Sequence, residues 1–432
     1  VREKGAPAMP VPLPAHLPGT LAITLWDFTW YTRTGPGEPF EDLDRAFAEA
    51  ADRGYNTIRV CAMPFLLFGS GLDTTRVRLG PLGGGYGRRV RWYDVRAATE
   101  IDGRAHLLAL FEAARRHDFF VILSSWEYQQ SPSFATERAW FDALMAVEPE
   151  RRPEALADAL ADLIDFLAAH DGLDDRIAFT ELHNEVQAGR LTDGLTGDTV
   201  LALQPRLARG VARFRERHPD RPVTVNYAEV PVGSLRGVLR DVDVAVFHPY
   251  IYGVLDELLD TFALRDQERP FPQEAARRAL LRPGAPDIDA WAPPAEDAWR
   301  LTATIVGRRE MYVHDWCDPV AWDAWLYDRY ATHRLAMEQR LSLWIDAAAD
   351  WAAAAGVPLV FGEGWIGYTP LEGTFEEGPV GASFCRRAVA EGVRVGVLGT
   401  VVCSNAAPHH PMWQDVALQR ECNELLTGGS AR

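Results

Sequence analysis

Residues 177–186 read IAFTELHNEV, a short apolar run that turns polar only at its end, with His183, Asn184 and Glu185 in succession. A run this short, rich in β-branched and aromatic residues and without strict alternation, suits a strand buried on both faces. Seven more runs of the same kind occur, at 21–31 (LAITLWDFTWY), 56–65, 119–128, 223–230, 242–252, 358–367 and 395–405. Amphipathic stretches with helical spacing lie between them at 41–53, 103–117, 153–170, 199–218 and 321–355, and Gly54 and Gly356 stand where a helix closes. Strands alternating with helices predict an α/β protein with a parallel sheet, and eight of them favour a closed (β/α)8 TIM barrel. A doubly wound sheet would carry a glycine-rich phosphate turn after its first strand. Here that strand ends Trp26-Asp27-Phe28-Thr29-Trp30, and the GGGYG at 83–87 opens no helix, so it reads as plain loop.

The chain has 432 residues, which a single barrel domain over 1–432 can absorb if it carries insertions. Two interrupt the alternation, at 66–100 and 254–320, and both follow strand C-terminal ends, the face where barrel enzymes keep their sites. The formal charge is −17, from 44 basic and 61 acidic residues, and all the basic residues but Lys4 are arginine. So acidic a chain repels phosphate backbones and anionic lipid, which argues against nucleic acid or a membrane as partner. Five widely spaced cysteines without a CxxC pair suggest neither a zinc site nor a disulfide framework. The Pro-rich start lacks the apolar core of a secretory signal, and no apolar run is long enough to span a bilayer. The expectation is a cytoplasmic protein, with the oligomeric state, including a homo-oligomer, left open.

Polar and ionisable groups inside apolar strands are costly unless paired or working. They cluster here at strand ends: Arg59 on the second strand, Ser125-Trp126-Glu127-Tyr128 on the third, His183-Asn184-Glu185 on the fourth, His248-Pro249-Tyr250 on the sixth, Glu363-Gly364-Trp365 on the seventh. Any one of them fits a salt bridge or a satisfied core group. Their recurrence at the same end of successive strands makes them converge on one pocket if the barrel closes. Glu185 and Glu363, on strands that face each other across the mouth, are what glycoside hydrolysis needs: one carboxyl to protonate the leaving oxygen, another to attack the anomeric carbon or activate water. Asn184 offers an amide to a sugar hydroxyl. Arg59 and a Tyr250 hydroxyl beside Glu363 would favour its ionised form, while burial near Trp126 or Trp365 would keep Glu185 protonated.

These residues resemble the clan A glycoside hydrolases, and within that clan the family 5 cellulases and the bacterial cellulase-like proteins. The resemblance implies a retaining mechanism with Glu185 as acid/base and Glu363 as nucleophile. It also implies Asn184 at the sugar 2-hydroxyl, Tyr250 bonded to the nucleophile, and Arg59 and His248 as supporting residues. Trp126, Glu127, His183 and Trp365 complete the expected substrate-binding set. The pattern departs from that family in two places. The eighth strand ends Cys403-Ser404-Asn405, followed by Pro408-His409-His410, where the family has a Trp, and the third carries Trp126-Glu127 where many relatives have a His. Loop tryptophans (Trp26, Trp30, Trp126, Trp291, Trp316 and Trp365) offer flat surface for sugar rings, whereas Trp325, Trp344 and Trp351 fall in the long helix and read as core.

The expected ligand is a small carbohydrate, a glycoside or short oligosaccharide, with no cofactor and no metal. Two rivals stand beside this reading. A metal-dependent barrel hydrolase could draw on His248, His314-Asp315, His409-His410 and Glu127, although no HxH or HExxH spacing occurs. A non-catalytic sugar-binding barrel would keep the cleft without the chemistry.

Overall fold

A computed structural model describes residues 10–428; Lys4, the first part of the Pro-rich start and residues 429–432 lie outside it. Eight strand positions follow the eight apolar runs. They are β1 (Leu21–Asp27), β2 (Thr57–Cys61), β3 (Phe120–Ser124), β4 (Ile177–Glu181), β5 (Val223–Thr224 and Asn226–Ala228), β6 (Ala245–His248), β7 (Leu359–Phe361) and β8 (Gly399–Val401). All their pairings are parallel, and β1 pairs with both β2 and β8. The ring closes through the split in β5. Its first half pairs with β4, Thr180 opposite Val223, and its second half with β6, Asn226 opposite Val246. This is the (β/α)8 barrel.

The barrel interior is apolar at its lower end. Leu21, Ile23, Phe120, Ile122, Val244, Val246, Val360 and Val401 form one buried cluster, with Leu13 and Leu17 of the entering chain packed against it. Burial at about 25 cal/mol per Å² is the main favourable term holding such a centre. The helices expected outside the barrel are present: α1 (Leu43–Asp52), α2 (Gly103–Arg116), α3 (Arg152–Ala169), α4 (Thr199–Arg217) and α5 (Pro319–Ala355), followed by α6 (Pro379–Val395) and α7 (Val416–Thr427). Asp42, Asp102, Asp198 and Asp318 cap the first, second, fourth and fifth by accepting backbone N–H bonds, and α5 ends on Gly356 in the left-handed conformation. Between β5 and β6 the alternation fails. Only a short 3-10 turn, Leu235–Gly237, stands where a helix would, in a stretch broken by Pro231, Gly233 and Gly237. A Cβ on Gly237 would come within 2.7 Å of the Leu201 backbone, so this turn packs directly on α4.

The two insertions meet each other above the barrel. Residues 66–100 form an antiparallel ribbon, Val77–Leu79 against Thr99–Ile101, and a loop containing the GGGYG sequence. Tyr86 of that loop stacks on Trp291, ring centroids 3.8 Å apart, and Gly87 and Arg89 donate backbone N–H bonds to Asp315. The five cysteines are buried and unpaired. Among the described residues, no helix is long and apolar enough to cross a membrane.

Candidate active site

At the C-terminal ends of the strands the interior turns polar around Arg59. This side chain is fully buried, and its guanidinium lies over the Trp126 ring, 4.6 Å from the centroid. Its NH2 donates to Glu181 Oε2 at 2.6 Å and to Asn184 Oδ1 at 2.7 Å; NH1 donates to Glu363 Oε1 at 2.8 Å. Burial works against the charge, but Glu181 and Glu363 more than offset it and raise the pKa.

Glu363 follows β7 and Glu185 follows β4, and the two side chains face each other across a cavity of about 500 Å³ that both line. Glu185 has a left-handed backbone (φ 42°), and its N–H donates to Asn226 Oδ1 at 2.5 Å. Such a conformation costs about 1–3 kcal/mol and persists only where the surroundings impose it. Gln129 Nε2 donates to Glu185 Oε2 at 2.9 Å, while Gln129 Oε1 accepts from Asn184 Nδ2 at 2.8 Å. The Tyr250 hydroxyl donates to Glu363 Oε2 at 2.8 Å and lies 2.6 Å from Ser404 Oγ. His248 sits between the carboxylates, its Nδ1 3.2 Å from Glu185 Oε1 and 3.6 Å from Glu363 Oε1. One ligand atom each from Glu185, His248 and Glu363 fall within 4.8 Å of one another, a spacing that could also hold a metal ion.

Burial dominates the electrostatics. It raises the Glu185 pKa to about 6, against the opposing Gln129 hydrogen bond and the charges of Arg59 and Arg265. It raises Glu363 above the ordinary carboxylate value as well. His248, Arg59 and the Tyr250 hydroxyl oppose that rise, and the Glu185 charge adds to it. The contributions expected from Arg59 and Tyr250 are therefore present, but desolvation outweighs them. Burial lowers His248 to about 4, so it is neutral at neutral pH and the lasting cation beside Glu363 is Arg59.

Of the residues singled out from sequence, Trp126, Asn184, Glu185, Tyr250 and Glu363 line the cavity, and Arg59 and His248 contact its carboxylates from beneath. Three do not belong to it. His183 is held on both ring nitrogens by backbone, Nδ1 to the Asn184 carbonyl and Nε2 accepting from Tyr128 N–H, and it clamps two strand-end loops. Glu127 accepts from the Phe65 and Leu66 N–H groups, Ser125 and Trp140, which consumes both carboxylate oxygens and ties the second loop to the third. Trp365 is buried against Phe361, donates to the Val402 carbonyl and does not line the cavity. Of the six loop tryptophans named from the sequence, Trp126 alone reaches the cavity; Trp26 and Trp30 are fully buried, and Trp291 packs on Tyr86.

Sequence reasoning missed Glu181, Gln129 and Asn226. Glu181 and Asn226 are fully buried polar residues inside apolar runs, and that cost was itself the available signal. It also missed Trp92, which brings an indole to the cavity from the 66–100 insertion. The 254–320 insertion contributes Leu264, Arg265, Ile305, Val306 and Glu310, so both insertions wall the site.

Residues 23–186 match the family model described as "Cellulase-like: Sugar-binding cellulase-like", a stretch that ends one residue beyond Glu185. The cellulase-like resemblance read from the strand-end residues thus has a counterpart over this part of the chain. No curated protein matches the sequence significantly. Among solved structures, the fold is shared with a protein from Parabacteroides distasonis ATCC 8503 whose assignment as a glycoside hydrolase is itself provisional. The TM-score is 0.67 at 18% identity, over 95% of this chain and 94% of that one. GH5_18 from Streptomyces cattleya in complex with GlcNAc gives 0.49 at 14% identity, over 96% and 82%. The endo-beta-1,4-mannanase from Thermotoga petrophila gives 0.47 at 12% identity, over 96% and 78%.

Proposed function

We propose that this barrel is a retaining glycoside hydrolase that cleaves β-glycosidic bonds of small glycosides or short oligosaccharides. The observation that carries the reading is the facing pair Glu185 and Glu363, with a carboxylate oxygen of each within 4.8 Å. Retaining enzymes hold their two carboxyl groups about 5–5.5 Å apart, and inverting ones about 6.5–9.5 Å, to admit a water. The cellulase-like match over 23–186 supports the same reading.

In the first step the Glu363 carboxylate attacks the anomeric carbon, and the Glu185 carboxyl gives its proton to the departing glycosidic oxygen. The C–O bond breaks and a glycosyl ester on Glu363 forms. In the second step Glu185, now ionised, takes a proton from water; the water oxygen attacks the same carbon and Glu363 leaves as carboxylate. Burial supplies the protonated Glu185, since a group lifted to about 6 is a competent acid near that pH. Arg59 and the Tyr250 hydroxyl stabilise the charge on Glu363 both before attack and on departure. The insertions wall the cavity, which supports small substrates over a polymer threaded across an open groove.

A panel of 4-nitrophenyl β-glycosides, with and without EDTA, tests this. Hydrolysis that survives chelation and is lost in Glu363→Gln supports the hydrolase. Loss on chelation would favour metal chemistry at Glu185, His248 and Glu363. Saturable sugar binding without turnover would favour the non-catalytic barrel.

A further inference from the structure

The cavity has a second polar end that the proposed chemistry does not use. Asp27 at the end of β1, Glu376 in the loop after β7, Asn405 and His410 after β8, and Trp92 from the insertion all line it. These elements form the β7–β8–β1 sector, the same side of the barrel as Glu363, with Glu185 opposite on β4. Ser404 joins the two regions, since its Oγ contacts the Tyr250 hydroxyl and accepts from Gly364 N–H.

The groups in this sector are held in place from behind. Asp27 Oδ1 accepts from Thr29 N–H at 2.6 Å, and its Oδ2 lies 3.6 Å from His409 Nε2. Asp27 is itself left-handed (φ 41°), a strained conformation for a non-glycine residue. His409 Nδ1 is 2.9 Å from Thr29 Oγ1, and its ring lies 3.9 Å from that of His410. Glu376 accepts from Thr369 N–H and Asn405 Nδ2 and pairs with Arg91 at 2.9 Å. What is left over faces the cavity. Asn405 and His410 are 3% and 4% exposed and line the cavity, and His410 Nδ1 is buried with no hydrogen-bond partner among the described residues. Buried polar atoms are almost always satisfied, so this ring calls for a ligand or water.

We propose that Asp27, Trp92, Glu376, Asn405 and His410 form the subsite for the glycone, the sugar unit transferred to Glu363, and that this unit is a neutral, polyhydroxylated terminal ring. The proposal rests on the hydrolase reading for the word glycone, but not for the binding site itself. A sugar bonded to Glu363 stays against the β7 side through both steps while the leaving group departs past Glu185, so contacts in this sector act on the glycone. Trp92 gives a flat apolar face for ring C–H groups, and the polar atoms suit hydroxyls. Arg265, which also lines the cavity, is paired with Glu310 at 2.9 Å and donates to the Tyr252 and Tyr368 hydroxyls. Arg91 has no exposed surface and is engaged by Glu376 and Glu377, and burial pushes His410 well below its ordinary pKa, leaving it uncharged at neutral pH. With Asp27 and Glu376 in the subsite and the nearby Arg91 and Arg265 already paired with carboxylates, a uronic acid is disfavoured.

The test uses the full chain, 4-nitrophenyl β-glycosides of glucose, mannose, galactose and glucuronic acid, and the corresponding methyl β-glycosides as calorimetric ligands. Circular dichroism and thermal melting establish that His410→Phe, Asn405→Ala and the milder His410→Gln are folded. A neutral glycoside is the best substrate, and His410→Phe and Asn405→Ala each raise its KM about tenfold or more, a lost interaction of about 1.4 kcal/mol. kcat changes less, and His410→Gln recovers part of the loss. Unchanged KM in both folded variants, or preference for the glucuronide, overturns the subsite while leaving the hydrolase reading intact. If no glycoside is cleaved, calorimetry decides. Binding of a neutral methyl glycoside that His410→Phe weakens supports the subsite although the hydrolase reading fails; no binding by any of the four overturns it.

Discussion

Arg59 gives more of its hydrogen-bonding capacity to Glu181 than to Glu363. Both Nε and NH2 reach Glu181, at 2.6–3.1 Å, and only NH1 reaches the candidate nucleophile. Both members of the Arg59–Glu181 pair are fully buried. Removing one partner of a buried pair leaves an uncompensated charge and typically costs about 3–5 kcal/mol. Because Arg59 keeps Glu363 as a counter-charge, Glu181→Gln should lower unfolding free energy in urea titration by less than that amount. It should also strengthen the pull of Arg59 on Glu363, lower the Glu363 pKa, and move the acidic limb of kcat/KM to lower pH. An unmoved acidic limb in a folded variant would mean that Arg59 does not set the ionisation of Glu363.

Tyr250→Phe removes a hydrogen bond donated to the carboxylate form of Glu363. Turnover should fall by about one to two orders of magnitude, since a charge-assisted hydrogen bond is worth roughly 1.5–3 kcal/mol. The Glu363 pKa should rise, so the acidic limb moves to higher pH, opposite to the Glu181→Gln shift. Full activity with an unchanged pH profile would reduce Tyr250 to a packing residue.

The barrel was legible because a strand buried on both faces leaves a continuous apolar run, and all eight runs became strands. The missing fifth helix was legible only in hindsight, through Pro231, Gly233 and Gly237. Site residues were harder. Glu185, Glu363, Asn184 and Tyr250 announced themselves as polar groups at strand ends, and so did Glu127 and His183, which turn out to serve loops. Past the last ladder bond the two-residue alternation no longer fixes which way a side chain points, so phase could not separate the two groups. Trp92 reaches the cavity from a long insertion, and only its fold could reveal that.

Glu185 sets the alkaline side. It must be protonated to act as acid, and burial places its pKa at about 6, so kcat/KM should fall as pH rises through that value. Gln129 donates to its ionised form, and losing that bond raises the pKa. Gln129→Leu should move the alkaline limb to higher pH, and a shift to lower pH would contradict the role given to Gln129.

Both insertions wall the cavity, and this should exclude chains that need an open groove. Reducing-sugar assays should find rapid hydrolysis of small glycosides and little release from long-chain or insoluble glucan. Efficient polymer cleavage without activity on small glycosides would overturn the closed-site reading.

The most direct measurement is mass spectrometry after incubation with a 2-deoxy-2-fluoro β-glycoside carrying a good leaving group, built on the sugar that the aryl-glycoside panel selects. The fluorine slows breakdown of a glycosyl ester more than its formation, so a double-displacement enzyme accumulates the intermediate. One glycosyl unit per chain is expected, on the peptide carrying Glu363, and none in Glu363→Gln. An active enzyme that takes up no label, or carries it on any other residue, would contradict the assignment of Glu363 as nucleophile.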